Sequence, residues 1–206
     1  MLPAPLLYAS PPDTLLQERG IDAVPEGDAL QLDWQRNSRY SGYLLYRRGE
    51  GDKGFVSLRQ LNGRDSTFVD QDNLALNKRY YYYLVGLDED NNKSESSETV
   101  DYMLVPKAYN LGISWSPEVI FFWNIPEVAP DQYLLKLFDD FTNELVWMSR
   151  VRSGYGDLRE QVQYNWDKKA KPAGLVSGRR YRWRIDVIGS ATRSGSESQW
   201  DRFTAP

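Results

Sequence analysis

The sequence contains no cysteine and no histidine. Their absence removes a thiol nucleophile, a zinc-thiolate site, an imidazole base and the usual Ser-His-Asp arrangement together. Any chemistry would have to rest on carboxylates, Lys, Tyr or Ser. Lack of cysteine does not fix the compartment, because a sandwich with a full hydrophobic core folds without disulfides. Excess positive charge is missing too. A formal charge of -4 and a pI of about 5.0 give no overall attraction to nucleic acid, so DNA and RNA are not expected partners. No stretch approaches 18 uninterrupted apolar residues, and Met1-Leu2-Pro3-Ala4-Pro5 does not read as a signal peptide. The chain as given is therefore expected to be soluble, with no membrane insertion of its own. Helical periodicity is scarce.

What is present is 41% hydrophobic and 14% aromatic residues, enough for a packed core in each half of the 206 residues. Apolar and polar residues alternate in short runs rich in Tyr, Trp, Phe, Val and Ile, the pattern of half-buried strands. In the first half these runs are Ala29 to Trp34, Gly42 to Arg48, Phe55 to Leu61, Ser66 to Asp70, Arg79 to Asp88 and Glu98 to Leu104. In the second they are Val119 to Trp123, Tyr133 to Phe138, Leu145 to Val151, Gln161 to Tyr164, Arg180 to Ile188 and Gln199 to Thr204. Asn37-Ser38, Asn62-Gly63 and Asp90-Asn91-Asn92 supply turns between them. This spacing predicts an all-β sandwich.

The two halves repeat one another. Leu74, Tyr80, Tyr82, Leu84 and Gly86 correspond to Leu175, Tyr181, Trp183, Ile185 and Val187 at a constant offset of 101 residues. Trp34 followed by Tyr43 is echoed by Trp123 followed by Tyr133. One module is thus about 100 residues, the size of an immunoglobulin-like sandwich. The Trp of the second strand, the Tyr of the third and the Leu-x5-Tyr-x-aromatic-x-aliphatic strand resemble fibronectin type III modules. That resemblance covers nearly the whole chain and implies two tandem immunoglobulin-like Greek-key β-sandwiches. Residues 1–105, with an N-terminal extension 1–24, would form module 1, and residues 106–206 module 2, divided near Val105-Pro106-Lys107-Ala108. It also implies that Tyr80 and Tyr181 form tyrosine corners. The Arg19 to Asp28 stretch resembles exported bacterial members of the family, some of them lipoproteins. A periplasmic, outer-membrane-associated or secreted location is the corresponding expectation, with a lipid anchor possible upstream.

Several motifs invite a site and a plainer reading beside it. Gly49-Glu50-Gly51-Asp52-Lys53-Gly54 spells a dinucleotide-binding fingerprint, but strand-like runs flank it and no helix follows, so it reads as a hairpin loop. Asp88-Glu89-Asp90-Asn91-Asn92 has oxygen ligands, yet it lacks the Gly and distal Glu of a calcium loop and reads as a turn. Asp139-Asp140 are adjacent at a hairpin end, where side chains diverge, whereas a glycosidase needs two carboxyls facing across a cleft. No cofactor, metal or catalytic residue is expected.

Six of the seven tryptophans lie in the second half. Trp123 and Trp183 fit core positions. Trp115, Trp166 and Trp200 fall beside linker, loop or edge features, where an indole serves either as a binding platform or as cover for the ends of the sandwich. Arg182 and Arg184 occupy the outward parity of their strand, and Trp200 on the neighbouring strand would stack among them. These five residues are the candidate binding residues. The expected function is a non-catalytic binding or spacing protein of the bacterial cell envelope that presents its loops and the module junction to a protein or polysaccharide partner. The alternative is a carbohydrate-binding accessory module that uses the exposed tryptophans.

Overall fold

A computed structural model describes residues 2–7, 20–125, 130–154 and 158–206. The chain divides into two compact units, Met1–Leu104 and Val105–Pro206. Val105 belongs with the second unit: its N–H bonds to Gly195 O at 3.1 Å and its side chain packs on the second core.

Unit 1 contains β1 (Ile21–Ala23), β2 (Leu30–Asp33), β3 (Gly42–Gly49), β4 (Val56–Asn62), β5 (Thr67–Asp70), β6 (Arg79–Leu87), β7 (Lys93–Ser96) and β8 (Val100–Leu104). One antiparallel sheet runs β1-β2-β5. The other runs β4-β3-β6, with β7 and β8 both paired to β6. Unit 2 repeats the plan with β9 (Tyr109–Ser114), β10 (Ile120–Asn124), β11 (Gln132–Asp139), β12 (Leu145–Arg152), β13 (Arg159–Gln163), β14 (Arg180–Ile188), β15 (Ser194–Glu197) and β16 (Asp201–Thr204). Its sheets are β9-β10-β13 and β12-β11-β14, the latter extended by β15 and β16. A three-stranded sheet facing one built on the third, fourth, sixth and last strands is the fibronectin type III arrangement. The chain is a tandem of two such all-β sandwiches.

Strand alternation closes each core. In unit 1, Leu30, Leu32, Trp34, Tyr43, Leu45, Tyr82, Leu84 and Tyr102 are all buried in one cluster. In unit 2 the counterparts are Phe121, Trp123, Tyr133, Leu135, Leu137, Trp147, Trp183 and Ile185. Fully burying each such side chain contributes about 1.5–3 kcal/mol before conformational entropy is subtracted. The repeated pair is edge-to-face in both: Trp34 on Tyr43 at 5.6 Å and Trp123 on Tyr133 at 5.3 Å between ring centroids. Tyr80 and Tyr181 make the tyrosine corners, accepting from Ala75 N at 2.9 Å and Val176 N at 3.0 Å.

Among the described residues, four strands lie outside the predicted runs: β1, β7, β9 and β15. β7 (Lys-Ser-Glu-Ser) and β15 (Ser-Gly-Ser-Glu) carry no apolar alternation, and β1 has only three residues. A bulge repeats in the last strand of both units. In unit 1, residues 97–99 lie opposite Tyr83 and Leu84; in unit 2, residues 198–200 lie opposite Arg184 and Ile185. The hydroxyl of Ser97 accepts Leu84 N at 2.9 Å and that of Ser198 accepts Ile185 N at 2.9 Å. Each hydroxyl then donates to the next residue's carbonyl, Glu98 O at 2.8 Å and Gln199 O at 3.0 Å. One serine therefore satisfies the backbone donor that the extra residue would otherwise strand.

Candidate functional site

The inward residues of β11 and β14 fill the core, so Lys136, Phe138, Arg182, Arg184 and Asp186 point to the other side of their sheet, where Lys136, Arg184 and Asp186 are buried and Phe138 and Arg182 half-buried. Arg202 on β16 lies opposite Arg182, and Trp200, two residues before it, falls on the same side of the strand. The guanidiniums of Arg182 and Arg184 stand 5.0 and 4.7 Å from its ring centroid. Phe138 meets the same indole edge-on at 5.6 Å. Arg182 also lies 5.6 Å from the Phe138 ring, its direct cross-strand partner. Carboxylates balance the cations. Asp186 pairs with Lys136 Nζ at 2.5 Å and Arg184 Nε at 2.9 Å, and Glu197 also pairs with Arg184. Lys136 and Arg184 are directly opposite in register, and placing Asp186 between them removes a like-charge clash. The result is a cation and aromatic ladder whose members hold one another in place.

The equivalent face of unit 1 has the same pairing with the strands exchanged. Arg48 on β3 sits opposite Tyr81 on β6, 4.5 Å from its ring centroid. Phe138 on β11 sits opposite Arg182 on β14. The cation thus comes from the third strand in one unit and from the sixth in the other. One pair further along, Tyr46 and Tyr83 stack at 4.8 Å with 12° between planes, where unit 2 has Lys136 and Arg184. Phe55 closes on Tyr83 at 4.8 Å. None of these unit 1 residues was among the sequence-predicted site residues. The signal was present in the consecutive Tyr80 to Tyr83, two of which must face outward.

The remaining tryptophans separate. Trp115 is half-buried against the second core, edge-on to Phe203 at 5.4 Å, because the end of β9 turns it inward. It lines the edge of the second core. Trp166 is 55% exposed in the loop after β13 and donates to Ser149 Oγ at 3.0 Å. The structure does not bring Trp115 or Trp166 into the Trp200 ladder. Trp147 is buried, with its indole N–H on Asp167 at 2.9 Å.

The acidic motifs have structural employment. Asp139 is buried, pairs with Arg179, and accepts Phe141 N at 2.9 Å and Thr142 N at 2.8 Å. Those backbone donors, led by Thr142, hold its carboxyl below the usual carboxylate range. Asp140 instead lies within 3.4–3.7 Å of Arg180, Arg182 and Arg202. The two neighbours serve different groups. Asp88 folds its own turn, accepting Asp90 N, Asn92 N and Asn92 Nδ2 within 3.0 Å, and the bond from Asn92 leads in lowering its pKa. Gly49 to Gly54 is the β3–β4 hairpin, in which Asp52 accepts Gly49 N at 2.7 Å and Gly51 adopts φ 83°. Asp70, fully buried, accepts Tyr82 Oη at 2.7 Å and Arg47 at 2.8 Å. Burial first, and then the Asp70 charge, push the Tyr82 hydroxyl far up. Among the described residues, no group of three or more acidic side chains could hold a metal ion.

A cleft of about 460 Å³ in unit 2 is lined by Lys107, Ala108, Tyr109, Asn110, Leu111, Gln199, Trp200 and Asp201. Tyr109 is 51% exposed there.

No family model matches the chain. Over 104 residues, half of its length, it is 25% identical to prolyl 4-hydroxylase subunit alpha-1 of Homo sapiens, and the Pongo abelii protein matches equally. The chain spans 19% of the length of these curated relatives. Among solved structures it is similar to a two-domain fibronectin type III segment of chicken tenascin, at 17% identity and a TM-score of 0.36, covering 89% of this chain and 95% of that one. The chicken CNTN1 FN1-FN3 domains align at 12% identity and a TM-score of 0.40, covering 99% and 67%. A beta-1,2-glucanase from Parabacteroides distasonis aligns at 20% identity and a TM-score of 0.40, covering 52% and 13%.

Proposed function

We propose that the chain is a non-catalytic binding and spacing protein of the bacterial cell envelope, and that the outer face around Trp200 meets its protein or polysaccharide partner. The observation that supports this is the Phe138-Arg182-Trp200-Arg184 ladder: aromatic and arginine side chains are the residue types that anchor interfaces. They are immobilised beforehand by one another and by Asp186 and Glu197, so less ordering entropy is lost on binding. The adjacent pair Asp139 and Asp140 is engaged in a turn and in ion pairs with arginines, which supports binding over chemistry at that motif.

The test is saturable retention of the full chain on isolated envelope material, with the polysaccharide and protein fractions assayed separately. Replacing Arg182 and Trp200 together by Ala should weaken retention at least about tenfold, as expected for the loss of more than one interface anchor. Equal retention of the double variant would defeat the assignment of this face. Fractionation of cells expressing the natural gene tests the compartment, and recovery in the cytosol would count against it.

A further inference from the structure

We infer that the cleft lined by the start of β9 and the bend between β15 and β16 is a binding site for a neutral oligosaccharide. This inference rests on the binding reading above and deepens it by naming a site and a ligand class. Two aromatic residues line the cleft, Tyr109 and Trp200. Aromatic faces pack against the C–H faces of a sugar ring, which are apolar although its rim is polar. Asn110 and Gln199 line the same cleft and are both solvent-exposed. A primary amide carries both donors and acceptors, so it can serve a hydroxyl in either sense, and two of them suit a ligand rich in hydroxyl groups.

The carboxylate in the lining is already engaged: Asp201 accepts the indole N–H of Trp183 at 3.1 Å. A cationic ligand would therefore have to compete with that bond for Asp201, whereas a neutral one need not. The volume of about 460 Å³ falls within the roughly 300–1,000 Å³ of small-molecule sites. Trp200 is held by Arg182, Arg184 and Phe138, so its position is set before any ligand arrives. Ser198 sets the bend that supplies Gln199 and Trp200, which ties the cleft to the fold and not to a floppy loop.

The experiment titrates the full isotopically labelled chain with cellohexaose, maltohexaose, xylohexaose and chitohexaose, and with polygalacturonate as an acidic comparison, while amide and indole resonances are followed. At least one neutral hexasaccharide should shift the Tyr109, Asn110 and Gln199 amides and the Trp200 indole N–H. Tyr109→Ala and Gln199→Ala should each weaken that binding about tenfold. Both replace exposed residues, and a retained spectrum elsewhere verifies the fold. Trp166→Ala, outside the lining, should leave it unchanged. Binding that survives both cleft variants, or that is lost in Trp166→Ala, overturns the cleft but leaves a carbohydrate-binding protein. No response to any neutral hexasaccharide overturns the inference, and retention on envelope protein would then still uphold the broader reading. Binding of polygalacturonate alone overturns the neutral ligand class.

Discussion

A single hydroxyl does unusual duty at Ser97 and Ser198. Each accepts a buried strand N–H and donates to the carbonyl that follows. Replacing either by Ala strands a buried donor, at a cost of about 1–3 kcal/mol. Ser97→Ala and Ser198→Ala should both lower the denaturation midpoint in urea with little change in slope. An unaltered midpoint would mean that water replaces the hydroxyl. Tyrosine ionisation supplies a second residue-scale test. Burial first, then Tyr181, pushes Tyr164 up to about 12, and burial also leads the upward shifts of Tyr82 and Tyr133. With raised native pKa values the folded chain holds more protons than the unfolded one above pH 10, so stability falls as pH rises. The contribution is intact below about pH 10, the ordinary tyrosine value, and that of Tyr164 is lost through about 12. Phenolate absorbance should thus rise in two stages, the later one coinciding with loss of β-sheet circular dichroism. A single early stage would show these hydroxyls to be accessible.

Between strands, the exchange of Arg48 and Tyr81 for Phe138 and Arg182 leads to a sharper test. In unit 1, Arg48→Phe or Tyr81→Arg alone removes a cation and ring contact contributing about 0.5–1 kcal/mol. The double variant rebuilds the contact in the orientation of unit 2. A double-mutant cycle should therefore give a favourable coupling of about that size, and strict additivity would refute the equivalence. The same elements show what can be read from a sequence. β2, β3, β6, β10, β11 and β14 announce themselves because apolar and aromatic residues alternate along each. β7 and β15 do not, since polar residues become strand only through the ladder offered by β6 and β14. β9 carries Asn110 at φ 50° and Gly112, both poor strand formers. Arg182, Arg184 and Trp200 could be assembled from parity alone. Tyr109 and Asn110 could not join Trp200 on paper, because no local pattern reports which distant segments line one cleft.

At the scale of the whole chain, each unit closes its own core, and among the described residues no buried one belongs to both clusters. Six of the seven tryptophans belong to unit 2, so indole fluorescence reports chiefly on that unit. Leu45→Ala should cost unit 1 about 2–5 kcal/mol. Circular dichroism should then show an early transition that fluorescence largely misses. One transition common to both probes would mean that the units unfold together. The bulge after Ser198 has a last consequence for this molecule. Three residues, Ser198 to Trp200, span the two positions of β14 held by Arg184 and Ile185: delete Gln199, and the ladder would close with Trp200 directly across from Arg184, so that the indole keeps its side while the surplus that forms one wall of the cleft disappears. For this cleft, chain length between two anchors is as much a determinant as side-chain identity, and a screen limited to substitutions would never find it.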